Sequence, residues 1–447
     1  VYDPSEIDKV IKNKNIELIL LALPSISRQK RNQIINYLNK FKLIVKTLPS
    51  IQDIVDGKIS ISDIKDLSIE DLLNREQVKP NLELLSKNIN HKNVLVTGAG
   101  GSIGSELCRQ ISKLKPNKLI LLEFNEFVLY KIYEELNVVK KNFKIFPLLV
   151  NVQNQEKLEL IFETFKIDTV YHAAAYKHVP LVEENICESV KNNVFSSLSI
   201  IKASIKKKVS NLVFVSSDKA VRPTNIMGAS KRLSEICMQG FYHHVKPVYT
   251  NFSIVRFGNV LESSGSVIPK FKKQIQNGGP VTLTHIDVTR YFMTVTEAAE
   301  LVIQAGALGK YSEVFVLDMG ESVKIQSLVH KMIKLSGFSI KNDKNPDGDI
   351  EIKITGLRPG EKLYEELLIG NNPQKTNHPK IQKIEENYIP FDQLEVDLKN
   401  LKSLLNENKV DDVKNYLIKI IKLYQSNSEI IDHIYTQQLS NNEYSRN

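Results

Sequence analysis

The sequence predicts an α/β protein built on a doubly wound parallel sheet. Short apolar runs suited to buried parallel strands recur between residues 93 and 216. Helix-length amphipathic segments separate most of them, and this alternation is typical of a sheet with helices on both faces. The first run leads into a glycine-rich turn. The predicted strands are Asn93–Thr97, Lys118–Glu123, Lys144–Val150, Thr169–Ala173 and Asn211–Ser216.

A chain of 447 residues is too long for one ordinary core, so two or three domains are expected. We predict a small Rossmann-like accessory domain over residues 1–75 and a connector over 76–92. Residues 93–380 form the predicted catalytic domain, which includes a smaller substrate-binding part. Residues 381–447 are predicted to form C-terminal helices and a polar tail.

The accessory domain is predicted from two strands and two helices. Helices are expected over Ile7–Asn15 and Ser27–Phe41, and strands over Ile16–Ala22 and Lys42–Thr47. Because no glycine fingerprint accompanies these strands, this domain is not expected to bind a dinucleotide. Further on, Ser68-Ile-Glu-Asp71 resembles a capping box that opens a short helix.

The C-terminal region is predicted to contain an amphipathic helix followed by a loose end. Apolar residues recur at helical spacing from Val413 to Tyr424, which places them on one face. The last twenty or so residues are polar and are expected to be loose.

Composition excludes several classes of protein. The three cysteines form no C-x-x-C pair, so neither a disulfide framework nor a metal site is expected. The net charge of +9 comes from scattered lysines without an interleaved aromatic RNA-binding motif, which favours a Lys-rich surface over nucleic-acid binding. The apolar run Ile16–Leu23 is shorter than the ~20 residues of a membrane helix. Since the chain begins with Val1, the sequence does not exclude a membrane anchor upstream of it.

The glycine-rich turn predicts a dinucleotide site. Gly98 permits the tight turn, Gly101 lets backbone amides approach a pyrophosphate, and Gly104 permits close packing of the helix on the strand. Ser102 and Ile103 lie between the last two glycines. Glu123 ends the second predicted strand, where an acid bonds the adenosine ribose and repels a 2′-phosphate, so the predicted cofactor is NAD.

Four further motifs narrow the prediction. They are His172-Ala-Ala-Ala-Tyr-Lys-His178-Val-Pro, Asn192-Asn193, Ser216-Ser-Asp-Lys219 and Met227-Gly-Ala-Ser-Lys231. With the glycine turn, they resemble the larger, membrane-anchored UDP-N-acetylglucosamine 4,6-dehydratases of bacterial polysaccharide biosynthesis, which are extended short-chain dehydrogenases. The resemblance covers roughly residues 70–370. Those enzymes carry a membrane region followed by a Rossmann-like domain without a fingerprint, and residues 1–75 are similar to that domain.

The resemblance implies a setting and several binding roles. It places the protein at the cytoplasmic face of the inner membrane, through a segment absent from this chain, as a homo-oligomer. Asn192 would support the active-site helix, while Asn151-Val152 stands where the family usually has an adenine-binding Asp. The residues implied to line the dinucleotide are Ala173, Ala174 and Ala175, and those implied near the substrate include Lys177 and His178.

The predicted catalytic residues follow the fifth strand. Most short-chain dehydrogenases use Tyr-x-x-x-Lys, but here Met227 precedes Lys231 at that spacing. On the residues alone, Met227 indicates either an inactive enzyme or a core methionine. Asp218 and Lys219 lie where ligands bind in an open α/β sheet, and they can supply the acid and the base for an elimination.

The resemblance gives Asp218 and Lys219 the same roles. It also implies that Lys231 holds the nicotinamide ribose and that Ser217 or water mediates loss of the O4 proton. The alternative reading of Asp218 and Lys219 is an ion pair in a surface loop.

The substrate side rests on cationic and amide groups. The stretch beginning Arg256-Phe-Gly-Asn259 resembles the nucleotide-sugar loop of the family, with Asn259 near the diphosphate. Arg290 and Arg358 are the arginines that we predict to bind phosphate oxygens. Arg358 lies in the motif Gly-Leu-Arg-Pro-Gly-Glu361-Lys362, and Glu361 is also predicted to lie near the substrate. The expected substrate is a UDP-N-acetylhexosamine. The identity of its uracil base and of its N-acetyl group is implied only by the resemblance.

Two alternatives stay open. An epimerase or reductase of the same fold would be expected to keep Tyr before Lys231 and to lack Asp218-Lys219. A non-catalytic NAD-binding scaffold would fit Met227 and the accessory domain.

Overall fold

The computed structural model describes most of the chain from residue 6 to residue 444. The described residues are 6–14, 16–23, 28–38, 40–41, 43–47, 65–66, 75, 78–138, 142–246, 249–261, 263–369, 373–426 and 428–444. The predicted capping box at 68–71 lies outside them.

The described strands form one large sheet and several small ones. In chain order they are β1 (Leu18–Leu21), β2 (Ile44–Thr47), β3 (Lys65–Asp66), β4 (Asn93–Thr97), β5 (Lys118–Glu123), β6 (Lys144–Leu149), β7 (Thr169–His172), β8 (Asn211–Val215), β9 (Asn251–Arg256), β10 (Asn259–Val260), β11 (Val281–Leu283), β12 (Thr289–Arg290), β13 (Phe292–Met293), β14 (Ser312–Leu317), β15 (Val323–Lys324), β16 (Ile340–Lys341), β17 (Ile350–Ile354), β18 (Gln374–Lys375) and β19 (Ile381–Ile384).

The described helices alternate with these strands through the middle of the chain. They are α1 (Ile7–Lys14), α2 (Arg28–Leu38), α3 (Leu82–Lys87), α4 (Ser102–Lys113), α5 (Glu126–Asn137), α6 (Gln155–Phe165), α7 (Val179–Glu183), α8 (Ile186–Val190), α9 (Ser196–Lys206), α10 (Ile226–His244), α11 (Val267–Gln276), α12 (Val295–Leu308), α13 (Ile325–Leu335), α14 (Phe391–Asn406), α15 (Val410–Ile420) and α16 (His433–Tyr444).

The chain forms two compact units, each made of three segments. The first comprises Val1–Gln77, Gly265–Phe292 and Gly320–Leu357. The second comprises Val78–Ser264, Met293–Met319 and Arg358–Asn447. The domain limits expected at residues 75, 92 and 380 stay a prediction.

The second unit contains a nine-stranded sheet in the order β18-β19-β14-β9-β8-β7-β4-β5-β6. From β14 to β6 every neighbouring pair is parallel, and β19 runs antiparallel to both of its neighbours, β14 and β18. The predicted doubly wound fold is therefore confirmed, and the five strands predicted between residues 93 and 216 are present to within one residue. The strand order reverses between β4 and β7, which is where such sheets bind ligands.

The first unit holds the elements predicted near the start of the chain. β1 and β2 are parallel, and β3 joins β2 antiparallel. Elsewhere in this unit β17 lies between β11 and β16, parallel to both. An isolated bridge links Ile44 to Ser336, so the N-terminal strands are joined to residues far along the chain.

The C-terminal helices cover the long helix α10. Leu394 and Leu401 of α14 and Leu417 of α15 belong to the same buried core as Leu233 of α10. The helix predicted over Val413–Tyr424 is present as α15, but it ends at Ile420, so Ile421 and Tyr424 lie beyond its end. Among the described residues, no helix is long and apolar enough to cross a membrane.

The expectation of a loose C-terminal end is wrong, because α16 spans His433–Tyr444. Asp432 explains the helix start. One oxygen of this buried carboxylate accepts the Tyr435 amide at 3.2 Å, and the other accepts the Ile186 amide at 2.9 Å. The cap thus anchors a polar helix to α8 without needing an apolar face.

A buried ionic network joins β9, α10 and the segment after β19. Arg256 places Nε 2.8 Å from Oε1 of Glu235 and Nη1 2.5 Å from Oε1 of Glu386. Arg232 lies 3.0 Å from both carboxylates. Burial by itself raises the pKa of Glu235, but Arg256 and Arg232 together hold that pKa at about 2. The Ser216 hydroxyl also donates to Glu235, at 2.6 Å.

We expect Arg256→Met to lower the free energy of unfolding by about 3–5 kcal/mol, because it leaves buried carboxylates short of their main cation. Lys206→Ala, which removes an exposed partner of Glu159, is the control and should cost less than about 1 kcal/mol. Urea denaturation of both variants makes the comparison. Equal, small losses would contradict a structural role for Arg256.

Candidate active site

In the turn between β4 and α4, a Cβ would clash with the backbone at Gly98 and at Gly104. Gly98 has a φ of +63°, and a Cβ there would lie 2.8 Å from the backbone of Ala174. A Cβ on Gly104 would lie 1.9 Å from the carbonyl oxygen of Gly98. The turn therefore adopts the tight, close-packed form that the fingerprint predicts.

The first turn of α4 is open to an anion. Gly101 is the N-cap residue, and among the described side chains none caps it. Ser102 and Ile103 are the first residues of the helix, so their amides point out of its N-terminus with the positive end of the helix dipole. This arrangement fits a pyrophosphate.

The Glu123 carboxylate faces the glycine turn from the end of β5. Its Oε2 accepts the Gly100 amide at 3.0 Å, and its Oε1 accepts the amides of Phe124 and Asn125 at 2.9 and 3.2 Å. A carboxylate held there fits the ribose hydroxyls of NAD and repels a 2′-phosphate. The amides at the start of α4 and the Glu123 carboxylate therefore fit NAD.

Two further segments lie at the same end of the sheet. After β6, the exposed Asn151 accepts the Gln153 amide at 2.9 Å, and Val152 is buried. After β7, the amides of Ala173 and Ala174 donate to the backbone and hydroxyl of Thr97 at 3.2 and 3.3 Å. These bonds hold the backbone of residues 173–175 beside the glycine turn.

His172 is a buried neutral group beneath the turn. Its Nδ1 lies 2.7 Å from the Thr97 hydroxyl, and its Nε2 lies 3.2 Å from the Ser197 hydroxyl. Burial, with a smaller contribution from the charge of Lys231, lowers its pKa to about 3. His172 therefore fixes neighbouring groups in place and carries no charge at neutral pH.

Asn193, the neighbour of Asn192, contacts α10 directly, and the support predicted for Asn192 stays a prediction. The buried Asn193 accepts the Tyr176 amide at 2.8 Å and donates to the Ser230 hydroxyl at 3.0 Å, so it links the loop after β7 to α10. Asn192 donates to Asn193 at 3.2 Å. Both lie in a π-helical turn, Lys191–Phe195, which turns Asn193 inward.

Asp218 and Lys219 lie together directly after β8. They belong to a 3₁₀ turn, Asp218–Ala220, whose N-cap is Ser217. Lys219 Nζ lies 3.0 Å from Asp218 Oδ1 and 3.3 Å from Glu365 Oε1. The Ser217 hydroxyl donates to Asp218 Oδ1 at 2.9 Å. The pair is largely buried, which argues against a surface ion pair.

The pKa of Asp218 lies above its ordinary value. Burial is the main cause, since the side chain has no exposed surface. The negative charge of Glu365 raises the pKa further, and the positive charge of Lys219 opposes both effects. Asp218 is thus suited to hold a proton and to donate it.

Met227 and Lys231 lie on the first turns of α10. Met227 is 4% exposed and belongs to the apolar core. Lys231 Nζ donates to the Val215 carbonyl at 2.9 Å and lies 4.5 Å from the Phe214 ring centroid. Burial lowers the pKa of Lys231 to about 8. Lys231 therefore projects to the carboxyl end of β8, beside the Asp218 turn.

The motif that contains Arg358 and Glu361 is tied to the N-terminus of α10. The Gly360 carbonyl accepts the Thr224 hydroxyl at 2.9 Å and the Asn225 side-chain amide at 3.0 Å. Arg358 is exposed, and its backbone amide donates to Glu361 Oε2 at 3.3 Å. The motif thus brings an accessible arginine to the catalytic helix.

Other predicted substrate residues are placed differently. Asn259 Oδ1 lies 3.5 Å from Lys219 Nζ, so Asn259 faces the predicted base. His178 is the half-buried N-cap residue of α7, and Lys177 before it is exposed. Arg290 belongs to the first unit, where it is buried and donates to the Thr289 carbonyl at 2.7 Å.

The sequence reasoning missed three residues of this region besides Asn193. Glu365 contacts Lys219, and a Cβ on Gly228 would lie 2.1 Å from the Lys219 carbonyl. Glu183, buried at the end of α7, accepts the Ile226 amide at 2.6 Å and so holds the start of α10. Gly228 and Glu365 stand inside or beside motifs already recognised, whereas nothing local marks Glu183.

We expect Gly104→Ala and Gly101→Ala to fail differently. The Gly104 variant should be less stable even without ligand, because its Cβ would overlap the Gly98 carbonyl. The Gly101 Cβ would be 3.3 Å from that oxygen, a tight but tolerable contact, so this variant should fold and bind NAD weakly. Thermal unfolding and NAD titration test both. Wild-type NAD affinity in Gly101→Ala would contradict pyrophosphate binding at this turn.

Comparisons with known proteins agree with this geometry. Residues 94–386 match the family model described as polysaccharide biosynthesis protein. The capsular polysaccharide biosynthesis protein CapD from Staphylococcus aureus is 43% identical over 396 residues, which are 88% of this chain. The chain spans 64% of the length of CapD.

Two relatives with named activities match at lower identity. A UDP-N-acetylglucosamine 4,6-dehydratase (inverting) from Campylobacter jejuni is 30% identical over 64% of this chain and 80% of its own. A UDP-glucose 4-epimerase from Rickettsia prowazekii is 31% identical with the same coverage.

One solved structure matches over nearly its whole length. The X-ray structure of Pen from Bacillus thuringiensis superposes with a TM-score of 0.60 and is 31% identical to this chain. The superposition covers 70% of this chain and 99% of Pen. With the glycine turn, the Asp218–Lys219 turn and a family model that spans both, the chain belongs to the polysaccharide biosynthesis protein family.

Proposed function

We propose that this protein is an NAD-dependent 4,6-dehydratase that converts UDP-N-acetylglucosamine to the 4-keto-6-deoxy sugar for bacterial surface polysaccharide or glycan synthesis. The observation that carries the proposal is the Asp218–Lys219 pair beside Lys231 at the carboxyl end of β8. An acid and an amine in contact are what an elimination of water requires. The relatives that act on UDP-sugars support the substrate class.

NAD, when bound, supplies the oxidation at C4 of the sugar and the reduction at C6. The protein residues move the protons. With C4 as a ketone, the C5 hydrogen is acidic, and neutral Lys219 takes it as a proton. The C6–O bond then breaks, and Asp218 provides the proton that converts the departing hydroxyl to water. Ser217 and Lys231 act at the C4 oxygen, and the proton that this oxygen loses in the oxidation replaces the one that Asp218 gives to water. When C6 is reduced, the protonated Lys219 returns a proton to C5.

The burial of Asp218 defines how its proton leaves. The carboxyl has no exposed surface, while the Ser217 hydroxyl is half-buried and 2.9 Å from Oδ1. A hydroxyl both donates and accepts, so Ser217 can pass a proton between Asp218 and the sugar. The family resemblance implies a role for Ser217 at O4, and this contact adds a second role.

Met227 separates this proposal from the epimerase alternative. Among short-chain dehydrogenases, a tyrosine at this position supplies the general base. Met227 has no proton to exchange and is buried in the core, so the acid–base chemistry falls to Asp218, Ser217 and Lys219. The similarity to an epimerase at 31% identity keeps the alternative in view. A 4-keto-6-deoxy product absorbs in alkali, whereas an epimer does not.

The membrane attachment and the homo-oligomer implied by the resemblance stay predictions. We also propose that the reaction retains the configuration at C5, which proton NMR of the product would report.

We expect Lys219→Met and Asp218→Asn to bind NAD but release little product, because each loses one proton-transfer group worth about 10²- to 10⁴-fold. Met227→Leu, a nearly volume-conserving change, is the control and should keep most activity. Product is measured by alkaline absorbance, and deuterium uptake at C5 is measured in D₂O. A fully active Lys219→Met, or a folded but inactive Met227→Leu, would overturn these assignments.

We expect Arg358→Ala to weaken UDP binding by about 1.5–3 kcal/mol, since one charge-assisted bond to phosphate is lost. NAD affinity should not change, because Arg358 lies outside the dinucleotide half. Arg109→Ala, which removes an equal charge from α4, is the control. Calorimetric titrations with UDP and with NAD separate the two sites. Loss of NAD affinity alone would show that Arg358 is placed wrongly.

A further inference from the structure

Glu365 is a buried carboxylate in contact with the predicted catalytic base. It lies in the segment after Gly360, far in sequence from the Asp218 turn. Its side chain is 4% exposed, and its Oε1 is 3.3 Å from Lys219 Nζ. We propose that Glu365 is a positioning residue that fixes the Lys219 side chain and stabilises the protonated forms of both Lys219 and Asp218.

The first step of the argument is the geometry around Lys219. An ammonium group has three protons to donate. Its nitrogen lies 3.0 Å from Asp218 Oδ1, 3.3 Å from Glu365 Oε1 and 3.5 Å from Asn259 Oδ1. These oxygens come from three separate segments of the chain. Lys219 is therefore held from several sides, and Glu365 supplies the second charged contact.

The second step is the order of exposure within the cluster. Asp218 has no exposed side-chain surface and Glu365 has 4%, whereas Lys219 has 19%. The carboxylates thus lie behind the amine, and the amine is the member nearest the surface. A flexible lysine at an exposed position samples many rotamers. Because Asp218 and Glu365 hold the Lys219 amine, less conformational entropy is lost when its side chain takes up the reactive geometry.

The third step is charge. A negative charge within about 4–6 Å favours the protonated form of any neighbouring group. Burial is the main cause that raises the pKa of Asp218, and the charge of Glu365 raises it further. At 3.3 Å, the same charge favours the ammonium form of Lys219. Removing the charge must therefore lower the pKa of both members of the pair.

Other charges near the cluster have partners of their own. On the same segment as Glu365, Glu366 pairs with Arg222 at 2.9 Å and with Lys362 at 3.5 Å. On α10, which packs against the Asp218 turn, Lys231 donates to the Val215 carbonyl. Asn259, the first residue of β10, is uncharged. Glu366 is therefore a matched control, because it is an adjacent acid without contact to Lys219.

The test rests on the proposed function and measures 4-keto-6-deoxy product from UDP-N-acetylglucosamine across a pH range. We expect Glu365→Gln, which keeps the side-chain shape, to lower kcat about 10- to 100-fold, less than loss of the acid or base itself. Both limbs of the pH profile of kcat should move to lower pH by about one unit or more. KM should stay close to that of the wild type, because the role lies in proton transfer.

Two further variants keep the result interpretable. Glu365→Asp retains the charge, so its pH profile should resemble that of the wild type even where its rate is reduced. Glu366→Gln should change neither rate nor profile. NAD retention and circular dichroism establish that each variant is folded.

The outcomes separate this inference from the proposed function. If the wild-type protein makes no 4-keto-6-deoxy product, the proposed function fails. If the wild type is active and Glu365→Gln has the same kcat, with both limbs of its pH profile at the wild-type positions, the role of Glu365 is overturned. A Glu365→Asp profile shifted as far as that of Glu365→Gln would also overturn it, since charge would then not be the cause.

Discussion

The buried pairing of Arg256 with Glu235 is the interaction on which the geometry of the candidate site depends. Arg256 ends β9 and Glu235 lies in the middle of α10, so the pair sets the distance between the sheet and its longest helix. The Ser216 hydroxyl donates to the same carboxylate, which ties the end of β8 to this point. The Asp218 turn follows Ser216 directly, and Lys231 is one helical turn before Glu235. Both reactive segments are therefore placed relative to one buried charge.

A second set of constraints aligns the N-terminus of α10. The Asn225 side chain accepts the Gly228 amide at 2.8 Å and donates to the Gly360 carbonyl at 3.0 Å. A Cβ on Gly360 would lie 2.6 Å from the Asn225 Cβ. One capping residue thus joins α10 to the segment that carries Arg358 and Glu365. A change in this cap would move the predicted substrate side and the predicted catalytic side together.

The sequence predicted those features that depend on local patterns. Buried parallel strands are apolar on both faces, so the five strands were found within one residue, and Glu123 was found because it ends one of them. Asn193 and Glu365 could not be ranked, because their roles come from contacts with Ser230 and Lys219 that only the folded chain creates. The helix α16 was missed because a cap from Asp432, not an apolar face, holds it.

The contact between Asp218 and Lys219 explains how one buried pair can hold both an acid and a base. A protonated carboxyl beside a neutral amine carries the same number of protons as a carboxylate beside an ammonium. The two states differ by one proton moved across a 3.0 Å contact, so no exchange with solvent is needed to reach the reactive state. Burial favours the neutral pair, because desolvation penalises two charges. Glu365 attracts the ammonium but repels the adjacent carboxylate, so its two effects on the proton's position oppose each other. Its charge therefore acts chiefly on the protonation of the pair as a whole, which is why the Asp218–Lys219 unit must be treated as one titrating group.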